Sequence, residues 1–258
     1  MNKLNQVFGN KKAFIPFLTA GDPDINTTRE LIIKIAEAGA DLIEIGIPFS
    51  DPVAEGPVIQ EADYRALKGG VTTDQIFNMV REVRQTCDIP LAFMSYINPI
   101  VTYGTERFMA LCQQVGIDCI IVPDLPFEEK NELKPYCDKY QIQLITMIAP
   151  TSGKRICEIA KAAEGFLYCV SSLGVTGVRR EIGSGVADMI QQVKGIKNIP
   201  CAIGFGISTP EQATAMAKVS DGVIVGSAIV KIIGQYGKAS VPYVEEYVSK
   251  MKEAISNL

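Results

Sequence analysis

Glu44 is the residue whose type and position point most directly to chemistry. It stands between Ile43 and Ile45 in an apolar run, where a carboxylate is costly unless it is paired or functional. Side chains alternate along a strand, so Glu44 and Gly46 share one face while the isoleucines, with Ile47, share the other. This pattern predicts a general acid–base carboxyl whose pKa is raised by desolvation. The alternative is a glutamate neutralised by a neighbouring cation.

A stiff acidic segment follows this run over residues 48–57. It holds three prolines, Pro48, Pro52 and Pro57, and each fixes one backbone torsion. Such a segment can place a second carboxylate, from Asp51 or Glu55, above the first. The alternative is a solvated acidic loop.

The composition narrows the chemistry further. The chain has no histidine, which excludes serine–histidine and cysteine–histidine catalysis and imidazole-ligated metals. Its seven cysteines form no C-x-x-C pair, so reduced buried thiols are expected and no metal site is predicted. A net charge of −4 argues against nucleic-acid binding. No signal-peptide pattern and no apolar run of about 18 residues is present, so a cytoplasmic protein is expected.

Glycine-rich segments supply a phosphate signal. Gly204-Phe205-Gly206 and Gly226-Ser227 each end an apolar run, and Gly226-Ser227 opens a short helical segment, Ala228–Ile233. Glycine lets backbone N–H groups approach phosphate oxygens, and a helix start favours negative charge. A third glycine-rich segment covers residues 171–177. Turn formation alone is the alternative for any one of them.

Eight short apolar runs alternate with segments of helical period, which predicts a parallel sheet with right-handed crossovers. Over 258 residues this favours a closed (β/α)8 TIM barrel, as one domain over residues 1–258, rather than an open doubly wound sheet. In such a barrel the chemistry lies at the carboxyl ends of the strands. The predicted strands are Phe14–Ala20, Asp41–Ile47, Leu91–Ile97, Cys119–Val122, Ile142–Ala149, Gly165–Ser171, Cys201–Phe205 and Gly222–Val225.

Helices fit between these strands. Apolar spacing predicts Thr28–Ala38 and Thr73–Gln85, the second with Thr72 as its cap. A further helix ends before Gly116, and Pro210 stands where another begins. Three polar side chains near predicted strand ends have two possible roles each. Tyr96 and Tyr168 either join the site or fill the core, and Asp124 is either a cap or a site residue.

Several segments together resemble the tryptophan synthase alpha subunit family over essentially the whole chain. The most specific of them runs from Glu44 to Gln60. The others are 17–23, 96–99, 124–126, 174–177, 204–207 and 226–230. The resemblance implies a carbon–carbon lyase of tryptophan biosynthesis, which splits indole-3-glycerol phosphate into indole and glyceraldehyde 3-phosphate by a retro-aldol reaction. Glu44 matches the family's acid–base carboxylate.

The resemblance also assigns the substrate-binding positions. Phe17, Met94, Ile121, Tyr168 and Phe205 match residues that enclose the indole ring. The phosphate positions are Gly177, Gly206, Gly226 and Ser227, and Thr176 matches a loop residue that helps to close the site.

A partner is implied as well. The family works as an α2β2 heterotetramer whose β subunit carries pyridoxal phosphate, while the α chain needs no metal or cofactor. Asp51 and Pro52, with the loop after Tyr96, match the surface that docks on the β subunit.

Two positions depart from the family pattern. The second catalytic carboxylate is normally an aspartate, and here it is Glu55, one methylene longer. Ser172 stands where some members have arginine. Because a misplacement near 1 Å can cost about a hundredfold in rate, an alternative function is a weakly active regulatory subunit that mainly activates the β subunit. Another phosphate-binding barrel of aromatic or thiamine biosynthesis is a further alternative, against which the segment from Glu44 to Gln60 speaks.

Overall fold

A closed barrel of parallel strands organises the chain. The computed structural model describes residues 3–9, 11–170, 184–204 and 206–258. Each strand pairs with the next, and the last pairs with the first, so the predicted (β/α)8 barrel is confirmed. The strands are β1 (Ala13–Thr19), β2 (Ile43–Gly46), β3 (Leu91–Met94), β4 (Cys119–Ile121), β5 (Gln143–Ile148), β6 (Leu167–Val170), β7 (Cys201–Gly204) and β8 (Gly222–Val225).

Helices join the strands and surround the barrel. Short 3-10 helices at Phe127–Glu132, Pro150–Arg155 and Gly237–Ala239 add to them. In the described ranges the α-helices are α1 (Leu4–Val7), α2 (Ile25–Glu37), α3 (Pro57–Lys68), α4 (Thr73–Val83), α5 (Ile97–Tyr103), α6 (Thr105–Val115), α7 (Lys134–Lys139), α8 (Ile156–Ala162), α9 (Ser184–Ile196), α10 (Pro210–Ala217), α11 (Ser227–Tyr236) and α12 (Val241–Ile255).

Side-chain caps set several helix ends. The Thr72 hydroxyl accepts a hydrogen bond from the Gln75 N–H, as predicted for α4. Gly116 ends α6 in the left-handed region at φ 80°, which glycine adopts without strain. The predicted start of α2 at Thr28 is wrong: Asp24 accepts from the Thr27 N–H, so the helix begins at Ile25.

The third strand is shorter than predicted. It ends at Met94, and Ile97 begins α5 instead. The Ile97 N–H donates to Asp124 Oδ1 at 2.9 Å, so a carboxylate from the segment after β4 supplies the cap of this helix. A long-range cap of this kind leaves no local pattern in the sequence. Asp124 therefore caps α5 in this structure.

Apolar side chains fill two layers. Outward-facing strand residues pack against the helices in one large core, while inward-facing residues form a separate cluster inside the barrel. Leu4 and Val7 of α1 join the inner cluster with Ala13 at the first residue of β1, so α1 closes the N-terminal end of the barrel. The opposite end carries the site.

Two further expectations concern cysteines and membranes. All seven cysteines are free, and five of them are buried, in keeping with the predicted reduced thiols. Within the ranges that the structure describes, no helix combines the length and apolarity needed to cross a membrane.

Candidate active site

Glu44 lies on β2 at the carboxyl end of the barrel, opposite Phe17 of β1 and Ala92 of β3. Its side chain is fully buried, and neither carboxylate oxygen has a hydrogen-bond partner among the described residues. Desolvation raises the pKa of Glu44 to about 8. The alternative of a glutamate neutralised by a cation therefore finds no support in the described part of the chain. A carboxyl of this kind is protonated at neutral pH and can both donate and accept a proton.

Glu55 lies in the segment between β2 and α3. The Tyr96 hydroxyl donates a hydrogen bond to its carboxylate and accepts one from the Ala54 N–H at 2.8 Å. Burial raises the pKa of Glu55, the bond from Tyr96 lowers it, and the charge of Asp124 raises it again. The acidic segment is thus partly buried and bonded to Tyr96, just after β3, which speaks against a simple solvated loop.

Asp63 is a third carboxyl at the mouth, and the sequence analysis missed it. It is 5% exposed on α3. Burial raises its pKa to about 8, and the charges of Glu55 and Asp22 add to this effect. The sequence signal that could have identified Asp63 is its position on the same helix face as Ala62 and Ala66, which is the buried face of α3. A charge on the apolar face of a helix is as informative as one inside an apolar strand.

Arg65 fixes α3 over the mouth. Its Nε and Nη2 donate to the two oxygens of Asp22, each at 2.8 Å, in a bidentate pair. Asp22 is 1% exposed and follows β1. A Cβ at Gly234 of α11 would lie 3.1 Å from Arg65 Nη2, so the guanidinium group fills the space between the two helices.

Apolar walls surround Glu44. Phe17 packs so closely over β2 that a Cβ at Gly46 would lie 2.6 Å from its ring, and one at Gly226 would lie 3.3 Å away. Met94 belongs to both the mouth cluster with Phe17 and the inner cluster with Ile121. Phe17, Met94 and Ile121 therefore belong to two apolar clusters that adjoin at Met94. Phe205, the other residue predicted there, lies outside the described residues.

Tyr168 of β6 links the two glutamates electrostatically. It is 5% exposed, and a Cβ at Gly204 would lie 2.5 Å from its hydroxyl oxygen. Burial raises the pKa of Tyr168, and the charges of Glu44 and Glu55 raise it further. Tyr168 therefore belongs to the inner apolar cluster, and the charges of both carboxyl groups act on its hydroxyl.

The predicted phosphate positions are only partly described. Gly226 precedes α11 and Ser227 is its first residue, so the N–H groups of the first turn have no acceptor within the helix. Gly206 is exposed with φ 78°. Gly177, Thr176 and Ser172 lie outside the described residues.

Asp51 is exposed and Pro52 is half-buried at the surface. With Tyr64 and Lys68 of α3 they line a depression of about 590 Å³. Val53 beside them is 81% exposed and Tyr64 is 65% exposed. The segment therefore turns Glu55 toward the barrel and Asp51 toward solvent. No group of three or more cysteine, aspartate and glutamate side chains within the described ranges is arranged to hold a metal ion.

A family model described as tryptophan synthase alpha chain matches residues 3–256. The chain belongs to the tryptophan synthase alpha chain family. The tryptophan synthase alpha chain of Lacticaseibacillus casei is 45% identical over 255 residues, which cover 99% of this chain and 96% of that protein. The alpha chain of Halalkalibacterium halodurans is 49% identical over 230 residues, 89% of this chain and 87% of that protein.

Solved tryptophan synthase structures share the architecture. The alpha subunit of Legionella pneumophila superposes with a TM-score of 0.89 at 35% identity, covering 100% of both chains. A chain from a structure of the tryptophan synthase α2β2 complex of Pyrococcus furiosus gives 0.87 at 37% identity, covering 94% of this chain and 99% of that one. Membership in the tryptophan synthase alpha chain family makes this chain a member of an enzyme family of tryptophan biosynthesis.

Proposed function

We propose that the chain is a carbon–carbon lyase that cleaves indole-3-glycerol phosphate to indole and glyceraldehyde 3-phosphate. The observation that carries the proposal is the fully buried Glu44 carboxyl, which has no hydrogen-bond partner among the described residues and lies at the mouth of the barrel. A carboxyl kept protonated by burial is suited to start the reaction at neutral pH.

The first step is proton transfer to the ring. Glu44, whose pKa is about 8, gives its proton to C3 of the indole. Positive charge develops at the ring nitrogen, and the Glu55 carboxylate accepts a hydrogen bond from the indole N–H and stabilises that charge. A second carboxylate serves at the ring nitrogen because the Glu44 carboxylate is needed next at the C3′ hydroxyl.

The second step breaks the carbon–carbon bond. The Glu44 carboxylate takes the proton of the C3′ hydroxyl, and the electron pair of that O–H bond forms the aldehyde carbonyl. The electrons of the C3–C3′ bond return to the ring, which restores neutral indole. Glu44 ends protonated as it began, so no oxidant, metal or cofactor enters the balance.

Substrate binding uses the two sides of the mouth. Phe17, Met94, Ile121 and Tyr168 enclose the indole ring, which orients C3 toward Glu44. The first turn of α11, entered through Gly226 and Ser227, binds the phosphate through its free N–H groups. Gly206 has no side chain, so its backbone can also approach the phosphate oxygens closely.

We further propose that a β subunit docks on the outer surface. The structural relative from Pyrococcus furiosus is a chain of an α2β2 complex. Asp51 and Pro52 lie beside exposed Val53 and Tyr64, and an apolar exposed surface next to a charge is suited to a partner. Docking there would act on the segment that also carries Glu55. Pyridoxal phosphate belongs to that partner.

Product analysis tests the proposed reaction. The purified chain, alone and with its β partner held free of serine, is expected to release indole and glyceraldehyde 3-phosphate in equal amounts. Absence of both products would refute the reaction. The weakly active alternative is tested by Glu55→Asp: a large gain in turnover would support an impaired site, while a loss shows that the segment is built for glutamate.

A further inference from the structure

Tyr96 joins the segments that follow two neighbouring strands. It comes just after β3, and its hydroxyl donates to the Glu55 carboxylate in the segment after β2. The same hydroxyl accepts the Ala54 N–H at 2.8 Å. One oxygen atom therefore contacts both the backbone and the side chain of this segment.

The ring of Tyr96 is itself held in place. It is 3% exposed and lies against Phe49, with ring centroids 5.4 Å apart. The Ser95 hydroxyl donates to the Tyr96 carbonyl at 3.0 Å, and the next residue, Ile97, donates its N–H to Asp124. The segments after β3 and β4 thus hold the phenol through contacts that do not involve Glu55.

Glu55 needs such a partner because its side chain is long and its segment has no regular structure. Three rotatable bonds separate its carboxylate from the backbone, and each unfixed rotamer spreads the position of the charge. We propose that Tyr96 is a positioning residue for catalysis, whose hydroxyl holds the Glu55 carboxylate at the place where it meets the substrate. This inference rests on the proposed lyase reaction, in which Glu55 stabilises charge on the ring.

Among the described residues, the charge of Asp124 opposes the ionisation of Glu55, whereas the hydrogen bond from Tyr96 favours it. Asp124 lies after β4, Asp63 on α3 and Tyr168 on β6, and each interacts electrostatically with the Glu55 charge. Burial and Asp124 raise the pKa of Glu55, whereas the bond from Tyr96 lowers it. Burial and the bond to Glu55 raise the pKa of Tyr96 above its ordinary range, so the phenol remains a donor throughout the working pH range.

This arrangement predicts a change in the pH profile that a purely structural role would not produce. The reaction needs Glu55 ionised, so activity falls on the acid side as Glu55 gains a proton. Tyr96→Phe removes the contact that lowers the pKa of Glu55, so the acid limb should move to higher pH by about one unit. The basic limb belongs to Glu44 and should stay in place.

A double-mutant cycle tests the inference through indole release between pH 5 and 9. Tyr96→Phe should lower kcat about tenfold at pH 7, since a hydrogen bond to a charged group is lost. In a Glu55→Asp background the side chain is one methylene shorter, so its carboxylate ends about 1.5 Å farther from the Tyr96 hydroxyl. There, the same substitution should change kcat less than about twofold. Equal effects in both backgrounds would overturn the inference and leave Tyr96 only as the hydrogen-bond acceptor of the Ala54 N–H.

Tyr103→Phe is the matched control. The Tyr103 hydroxyl also donates to a carboxylate, that of exposed Asp74 on α4, and its loss should leave kcat and both limbs unchanged. A control that reproduces the Tyr96→Phe profile would overturn the inference.

A measurement independent of turnover separates this inference from the proposed function. Carbon-13 NMR of glutamate-labelled protein, with the Glu55 signal assigned by its loss in Glu55→Gln, reports the titration of this carboxyl directly. Tyr96→Phe should raise that pKa, and an unchanged titration overturns the positioning role. If wild-type protein releases no indole, the proposed function fails, while the NMR result still decides the role of Tyr96.

Discussion

Replacing Glu44 by glutamine should stabilise the protein while slowing its reaction by a factor of about 10²–10⁴. Burial raises the pKa of Glu44 from its ordinary value of 4.5 to about 8. Below pH 4.5 the carboxyl is protonated in both the folded and the unfolded chain, so pH has no effect through this group. Between the two values only the unfolded chain loses its proton, and rising pH therefore favours unfolding.

The size of the effect follows from that interval. Each pH unit above the ordinary pKa lowers the free energy of unfolding by about 1.4 kcal/mol, which reaches about 3 kcal/mol at pH 7. Above about pH 8 both states are ionised and the loss becomes constant. Glutamine has nearly the same shape and cannot ionise, so Glu44→Gln avoids this loss.

Urea unfolding of both proteins from pH 5 to 9 measures the difference. The free energy of unfolding of Glu44→Gln should exceed that of wild type by an amount that grows by about 1.4 kcal/mol per pH unit up to about pH 7.5 and then levels off. Glu129→Gln, at an exposed glutamate, is the control and should show no such growth. A difference between wild type and Glu44→Gln that does not change with pH would refute the desolvation of Glu44.

Two further predictions concern the residues that support the site. Arg65→Met leaves the buried Asp22 carboxylate unpaired, so it should lower the free energy of unfolding by about 3–5 kcal/mol. The control, Arg29→Met, breaks an exposed pair with Glu82 and should cost less than about 1 kcal/mol. Similar losses in urea unfolding would contradict the role of the Asp22 pair. Gly46→Ala places a Cβ 2.6 Å from the Phe17 ring and should raise KM more than about tenfold. The control, Gly195→Ala on α9, has nothing within 4 Å of the new Cβ and should leave KM unchanged. Equal KM values for the two variants would show that Phe17 does not shape the pocket.

The parts of the fold that local patterns determine were predictable. Strand β8 occurs at the predicted residues Gly222–Val225, and α4 begins at the predicted cap, Thr72. The inward direction of Glu44 also followed from strand alternation alone. Each of these depends on residues close together in the chain.

The parts that depend on distant contacts were not predictable. Helix α3 was not predicted, and its place over the mouth depends on the pair with Asp22, which is 43 positions away in the sequence. The hydrogen bond from Tyr96 to Glu55 joins residues 41 positions apart. Sequence reasoning identified both residues as candidates but could not pair them, since loops after neighbouring strands meet only when the barrel closes.

The central claim is that Glu44 carries both proton transfers, and single-turnover cleavage by Glu44→Gln tests it most directly. Equilibrium dialysis with indole-3-glycerol phosphate should show that this variant binds substrate within about threefold of wild type, because the pocket walls are intact. Its cleavage rate should fall by at least a factor of about 10²–10⁴, the contribution expected of a general acid–base. Cleavage near the wild-type rate with normal binding would contradict the account.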